Sequence, residues 1–153
     1  MRKSIAIHEA GHAVVGRVLG LRGGSAPLVP DPAVEVGTQD DPWELIGVDE
    51  LLCVRAPWMV FRARILTLIA GGEAERELLG ATAVEDGEDR VEIARLVAAP
   101  ESELRDCWFE YEPRMRAQVR RIIRRYRREV ESVAAALMER TRLSPHQDID
   151  ALV

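Results

Sequence analysis

The chain has 153 residues, 47% of them hydrophobic, and a formal net charge of −5 at pH 7. This length and composition predict one folded domain over residues 1–153 and are too small for two domains with separate cores. No apolar run approaches the roughly 20 residues that a membrane helix needs, and Cys53 and Cys107 fit neither a disulfide framework nor a zinc-ribbon spacing. We therefore expect a soluble, cytoplasmic protein without a membrane partner.

The first predicted element is a helix over residues 4–19. Ser4 is placed to cap its start and Gly20 to end it. Apolar side chains and histidines recur between them at helical spacing, namely Ile5, His8, His12, Val15 and Leu19. This stripe predicts that both histidines face the interior of the domain.

Residues 8–12 read His-Glu-Ala-Gly-His, a pattern typical of zinc hydrolases. Positions i and i+4 of a helix lie one above the other, so His8 and His12 can offer two imidazole nitrogens to one metal ion. Glu9 then lies beside the metal, where its carboxylate can act as general base for water and general acid for a leaving amine. The alternative is a core helix with two buried histidines, but the spacing and the intervening Glu9 favour a metal site.

Residues 21–60 are rich in glycine, proline and acidic side chains, with short apolar runs at 26–29, 33–36 and 51–54. The runs predict a small, short-stranded β element between the first two helices. In zinc peptidases such an element can present an edge strand to an extended peptide. The prolines of this segment equally allow an irregular surface excursion with no binding role.

The rest of the chain is predicted to be helical, so the expected fold class is mainly α. Helices are expected over 58–79, 89–98 and most of 101–140, with one interruption near Pro113. The tail from Leu143 predicts a final short helix.

Arginines are concentrated in residues 114–128, whereas acidic residues are concentrated in 31–50. Clustered guanidinium groups could bind phosphate or an acidic partner. However, an apolar stripe runs through the same segment and the protein is acidic overall, so we expect a solvated helix face and no nucleic-acid binding.

A catalytic zinc ion usually takes three protein ligands and keeps a fourth position for water, so the histidine pair needs a third partner. The remaining histidine, His146, lies in the polar tail, where an exposed histidine without a role is expected. Carboxylates near the acidic loop at 84–88 are better placed for this role.

Three segments together resemble the peptidase domain of FtsH-type ATP-dependent zinc metalloproteases, and they span most of the chain. They are residues 8–15, residues 68–80, and the acidic start of the helix that continues through 93–97. Within the second segment the matching positions are Ala70, Gly71, Ala74, Glu75 and Gly80. The resemblance implies a zincin-like helical metallopeptidase domain whose third zinc ligand is an aspartate at the start of that helix.

Asp89 and Asp86 compete for this third-ligand position, because the preceding loop is shorter here than in the family. The family has apolar or small residues at +4, +7 and +8 from the ligand. Asp89 fits this pattern, whereas Asp86 has Arg90 at +4. We favour Asp89 and keep Asp86 as the alternative; Glu75 either orients a ligand histidine or pairs with a nearby arginine.

The sequence thus predicts a zinc metalloendopeptidase in which His8, His12 and Asp89 bind Zn²⁺ and Glu9 is catalytic. Two imidazoles and one carboxylate suit zinc better than magnesium or calcium, and separate it less clearly from iron or manganese. Without a Gly-x-x-x-x-Gly-Lys-Ser/Thr loop, ATP-independent cleavage of flexible or unfolded protein segments is expected. A homo-oligomer or a separate partner protein stays open. The alternative function is a non-catalytic or regulatory zincin-like module that binds a specific protein partner.

Overall fold

A computed structural model of the chain describes residues 2–21, 26–27, 57–80, 87–100, 102–139 and 142–143. The helices of this part are α1 (Arg2–Val18), α2 (Pro57–Leu79), α3 (Gly87–Ala98), α4 (Trp108–Arg125) and α5 (Arg127–Glu139). Two short strands, β1 (Ala26–Pro27) and β2 (Arg142–Leu143), complete it. The predicted mainly α class is confirmed. Among the described helices, none combines the length and apolar character that crossing a bilayer requires.

The core forms where α1 packs against α2 and α5, and where α2 also packs against α3 and α4. Each helix contributes one apolar stripe, as its residue spacing predicts. The fully buried side chains of this core include Val14, Val15, Ile65, Leu66, Met115, Val119, Ile123, Val130 and Leu137.

Gly11 allows α1 to approach α2 closely. A Cβ atom at this position would lie 2.6 Å from the carbonyl oxygen of Ala70 and 2.8 Å from the Cβ of Ala74. Only a hydrogen atom fits in this space, so a larger residue would push the helices apart. Because Gly11 lies between His8 and His12, the same contact presses both histidines against α2.

The strands form a two-residue antiparallel pair in which Ala26 is opposite Leu143 and Pro27 is opposite Arg142. β1 falls in the first predicted apolar run, but its partner follows α5 instead of preceding α2. Leu143 was predicted to open a short helix and lies in β2 instead. The runs at 33–36 and 51–54 lie outside the described residues, so the predicted β element between the first two helices stays a prediction.

Pro113 does not interrupt helix α4, which continues to Arg125. The predicted interruption was wrong: Pro113 is the sixth residue of α4, and the helix continues through it with the loss of the bond that the carbonyl of Phe109 would accept. Phe109 is 75% exposed, so water can take the place of that bond. The break falls at Tyr126 (φ −105°, ψ 30°), and residues 103–107 form turns before the helix begins.

Arginines of α4 pair with acidic residues of α2. Arg116 and Arg120 donate through Nη1 to the two carboxylate oxygens of Glu73, at 3.1 and 3.0 Å. Arg124 donates through Nε and Nη2 to Glu77, in both cases at 2.8 Å. Part of the arginine series therefore joins two helices, which differs from the wholly solvated face that the sequence predicted.

Candidate metal centre

Three side chains from α1 and α3 converge beside α2. Nε2 of His8 lies 3.1 Å, and Nε2 of His12 lies 3.3 Å, from the same carboxylate oxygen, Oδ2 of Asp89. The imidazole planes are inclined by 82°, with ring centroids 4.6 Å apart, so the two nitrogens reach this point from different directions. The three ligand atoms all lie within 4.8 Å of one another. We call these residues the triad.

Glu75 and Ser4 hold His8 from the side opposite the triad. Nδ1 of His8 donates to Oε1 of Glu75 at 2.7 Å, and Oγ of Ser4 donates to Oε2 of the same carboxylate at 2.6 Å. An ionised carboxylate only accepts hydrogen bonds, so the proton of the neutral imidazole is on Nδ1. Nε2 then faces Asp89 and, whenever the ring is neutral, can offer its lone pair to a metal ion, as in histidines that bind metals.

His12 is oriented in the same way by the main chain of α2. Its Nδ1 donates to the carbonyl oxygen of Thr67 at 2.7 Å. A carbonyl oxygen also only accepts, so this contact selects the same tautomer as in His8. Both histidines therefore present Nε2 to the triad, one held by a carboxylate and the other by a helix backbone.

Gly71 of α2 forms the floor of the centre. A Cβ atom at this position would lie 2.5 Å from Nε2 of His8 and 2.6 Å from Nε2 of His12. These distances are too short for any side chain, because real Cβ atoms do not approach other heavy atoms below 3.0 Å. Glycine therefore keeps the two ligand nitrogens accessible at this point of α2.

Glu9 flanks the triad. It follows His8 directly and is half-buried. Successive residues of an α-helix project about 100° apart, so Glu9 points beside the triad and does not belong to it. Its negative charge is one of the causes that raise the pKa of both His8 and His12.

The pKa values of the triad are shifted by burial and by the contacts of the three residues with one another and with neighbouring carboxylates. Burial lowers the pKa of His8, but hydrogen bonds to Asp89 and Glu75 and the charges of Asp89 and Glu9 outweigh it and raise this pKa to about 9. For His12, burial again lowers the pKa, and the bond to Asp89 and its charge reverse the shift. Burial raises the pKa of Asp89, and the two histidines overcome it and hold this pKa well below its usual range. The carboxylate is therefore ionised and attracts a cation.

The triad could hold a metal ion, and two of its separations can be compared with those of a zinc site. Zinc–ligand bonds of about 2.0–2.1 Å in a tetrahedron place neighbouring ligand atoms about 3.3–3.4 Å apart. The separations of 3.1 and 3.3 Å between the histidine nitrogens and the Asp89 oxygen are close to this length. Three acceptor atoms at such spacing require a positive charge between them, either protons on the histidines or a metal cation. Two imidazoles and one carboxylate are also a usual donor set for catalytic zinc.

The structure brings together His8, His12 and Asp89. Glu75 contacts His8, which agrees with the first of its two predicted roles, the orientation of a ligand histidine. Asp86 and His146 lie outside the described residues, so the choice between Asp86 and Asp89 stays a prediction. Ser4 was predicted to cap α1. That prediction was wrong, because α1 begins at Arg2 and the Ser4 hydroxyl donates to Glu75 instead.

Two features of the centre were missed from the sequence. The carbonyl of Thr67 is a backbone group, so the residue type carries no signal of it. Gly71 was named as a position that matches the FtsH-type family, and its place under the ligand nitrogens was not foreseen. Thr67, Gly71 and Glu75 recur every four residues, and this spacing could have indicated that one face of α2 supports the site.

No protein-family model and no curated protein matches this chain.

Proposed function

We propose that this protein is a zinc-dependent metalloendopeptidase with a zincin-like domain of the FtsH peptidase type. The observation that supports the proposal most strongly is the approach of His8 Nε2 and His12 Nε2 to Asp89 Oδ2, at 3.1 and 3.3 Å, next to Glu9. A bound zinc ion supplies Lewis-acid polarisation of the scissile carbonyl and makes water more acidic.

In this proposal Glu9 is the general base and then the general acid. Its carboxylate accepts a proton from a water molecule as the water oxygen bonds to the scissile carbonyl carbon. The same proton is then passed to the amide nitrogen as the C–N bond breaks. One water molecule thus converts one peptide bond into a carboxylic acid and an amine, which become a carboxylate and an ammonium group when the acid proton passes to the amine, and Glu9 is regenerated.

The other residues of the centre keep their protonation states during turnover. Glu75 and the Thr67 carbonyl retain the Nδ1 protons of the two histidines, so the rings do not rotate or change tautomer. Asp89 stays ionised because its pKa is far below neutral pH. We expect flexible or unfolded protein segments as substrates.

The proposal is tested by measuring metal content and cleavage of an unstructured protein for wild type, Glu9→Gln and His12→Ala. Wild type should bind zinc near stoichiometrically and cut the substrate. Glu9→Gln should retain zinc and lose at least about 100-fold in activity, because only the proton carrier is removed. His12→Ala should lose both zinc and activity.

Two results would contradict the proposed mechanism. A Glu9→Gln protein as active as wild type would exclude Glu9 as the proton carrier. Zinc-loaded wild type that cuts no unstructured protein would favour the non-catalytic binding module, which keeps the metal and lacks turnover.

A further inference from the structure

Arg64 is a buried cation on the face of α2 that carries the candidate metal centre. It is 5% exposed and precedes Gly71 by seven residues, which is about two helical turns on the same face. Its Nη2 lies 3.9 Å from Oε1 of Glu92 on α3. A guanidinium group at this depth needs acidic or polar partners to offset its lost hydration.

Glu92 connects this cation to the helix that carries Asp89. The two carboxylates are three residues apart on α3, so they project from neighbouring positions on the same side of the helix. Oε1 of Glu92 faces Arg64 on the protein side and accepts a hydrogen bond from Arg95 at 3.0 Å on the solvent side. The side chain of Arg95 is 70% exposed, whereas that of Arg64 is 6% exposed.

The apolar anchors of α3 all follow Asp89 in the chain. They are the buried side chains of Ile93, Leu96 and Val97. Asp89 itself lies in the first turn of the helix, where helices fray most readily. The contact between Glu92 and Arg64 is one turn from Asp89, and it ties this end of α3 to α2.

We infer that Arg64 is a positioning residue of the metal centre. Through Glu92 it holds the first turn of α3 against α2 and keeps Oδ2 of Asp89 within reach of the two histidine nitrogens. Water screens the contact of Arg64 less than that of exposed Arg95, although the Arg64 separation of 3.9 Å is longer than the 3.0 Å of the Arg95 contact. This inference rests on the proposed function, because it concerns the metal centre on which that function depends.

The test measures Co²⁺ and Zn²⁺ dissociation constants, with the Co²⁺ absorption spectrum, for wild type, Arg64→Met, Glu92→Gln and the double variant. Each single variant should bind metal about 10–100-fold more weakly, the loss typical of removing a residue that supports a metal ligand. The Co²⁺ bands should shift as Asp89 leaves its place. The metal affinity of the double variant should equal that of the more strongly affected single variant, since both substitutions break the same connection.

Two further variants separate positioning from general stability. Arg95→Met removes the cation that contacts the same oxygen of Glu92 from solvent, and should change metal affinity by no more than about twofold. Arg64→Lys keeps the charge and should recover part of the affinity lost in Arg64→Met. A role in stability alone would lower the melting temperature without changing the Co²⁺ spectrum.

The inference is overturned if Arg64→Met and Glu92→Gln bind Co²⁺ with wild-type affinity and spectrum, or if Arg95→Met weakens binding as much as they do. Should Arg64→Met fail to fold, the comparison of Glu92→Gln with Arg95→Met decides by the same criterion. Wild type that binds neither metal would instead overturn the proposed function itself.

Discussion

At the scale of single residues, the hydrogen bond at Nδ1 of each histidine determines that Nε2 is the nitrogen available to a metal ion. Glu75 and the Thr67 carbonyl each accept a hydrogen bond from Nδ1, and this directs both Nε2 atoms toward one carboxylate oxygen. Such an arrangement is stable only with positive charge between the three acceptors. Substitution of the residues that support the two histidines should therefore change metal binding, as substitution of the ligands does.

Replacing Glu75 by alanine should weaken zinc binding by about 10–100-fold, because His8 then loses the partner that sets its tautomer and ring orientation. The affinity is measured by competition with a chromophoric chelator. Ser4→Ala should have a smaller effect in the same direction, since the Ser4 hydroxyl bonds to Glu75 and so acts on His8 through that carboxylate. Glu77→Ala is the matched control, because this glutamate pairs with Arg124. Equal affinities for the Glu75 and Glu77 variants would contradict the assigned role.

Gly71→Ala should abolish metal binding while the protein stays folded. The added Cβ would lie 2.5–2.6 Å from both ligand nitrogens, so the rings must move away from the triad. The substitution otherwise suits a helix, where alanine is favoured over glycine by about 1 kcal/mol. Gly87→Ala, where a Cβ meets nothing within 4 Å, is the control and should bind metal normally. Circular dichroism checks folding and mass spectrometry checks metal content; full zinc occupancy in Gly71→Ala would refute the prediction.

At the scale of elements, α2 supports the molecule on two sides. One face carries Thr67, Gly71 and Glu75 against α1, and another carries Glu73 and Glu77 against the arginines of α4. Glu73 is 1% exposed and faces Arg116 and Arg120, with Arg76 3.8 Å away. The arginine series of α4 thus fixes how α4 packs on the helix that supports the metal centre.

Glu73→Gln should lower the free energy of unfolding by about 3 kcal/mol, because it removes a buried charge that pairs with Arg120 and that Arg116 shares with Glu112. Chemical denaturation measures this loss. The control is Glu131→Gln, which breaks an ion pair with Arg127 whose side chains are 49% and 55% exposed. That change should cost about 0.5 kcal/mol or less, because water screens the pair. Similar losses for the two variants would mean that burial does not strengthen the Glu73 pairs.

At the scale of the whole molecule, the candidate metal centre joins parts of the chain that are far apart in sequence. His8 and Asp89 are separated by 81 residues, and their contact closes that length of chain. A ligand that binds only the folded arrangement stabilises the fold by mass action. Metal binding and unfolding should therefore be coupled.

Zinc should raise the melting temperature of wild type, and a chelator should reverse the change. At a free zinc concentration of 1,000 times the dissociation constant, the free energy of unfolding should rise by about 4 kcal/mol. Differential scanning calorimetry measures both states. His12→Ala removes one ligand and should show no response to zinc; a response equal to that of wild type would mean that the stabilising ion binds elsewhere.

The effect of pH should have opposite signs with and without zinc. The pKa of His8 rises on folding from 6.5 to about 9, so its protonated form stabilises the metal-free protein below pH 6.5. This stability is lost as pH rises from 6.5 through about 9. The pKa of Asp89 is lowered, so its contribution is lost as pH falls below its ordinary value of 3.8. Zinc competes with protons for the histidines, so stabilisation by zinc should instead increase between pH 6 and 9.

Denaturation curves at several pH values, with zinc and with chelator, measure these two trends. In the presence of chelator, the stability of His8→Ala should lose most of the pH dependence between 6.5 and 9 that wild type shows. If the stability of metal-free wild type instead rises over this range, His8 is not protonated in the folded state.

Much of the candidate site could be predicted from local patterns. Helical spacing placed His8 and His12 on one face of α1, because side chains four residues apart always overlap on a helix. The apolar pattern after Asp89 predicted how α3 packs, and its buried residues Ile93, Leu96 and Val97 agree. Pro113 and Ser4 were misjudged, since a proline early in a helix loses only one bond and a serine near a helix start need not be its cap.

The sequence by itself determined the mainly α class and the two histidines on one helix face, because both follow from repeats within a few residues. Only the tertiary structure decided which distant groups meet them. The approach of Asp89, the support by Glu75 and Thr67, and the space left by Gly71 depend on how α1, α2 and α3 pack, and packing is set by contacts between residues far apart in the chain. The ion pair of Arg64 and Glu92 belongs to the same class, since neither residue type nor local spacing indicates its partner.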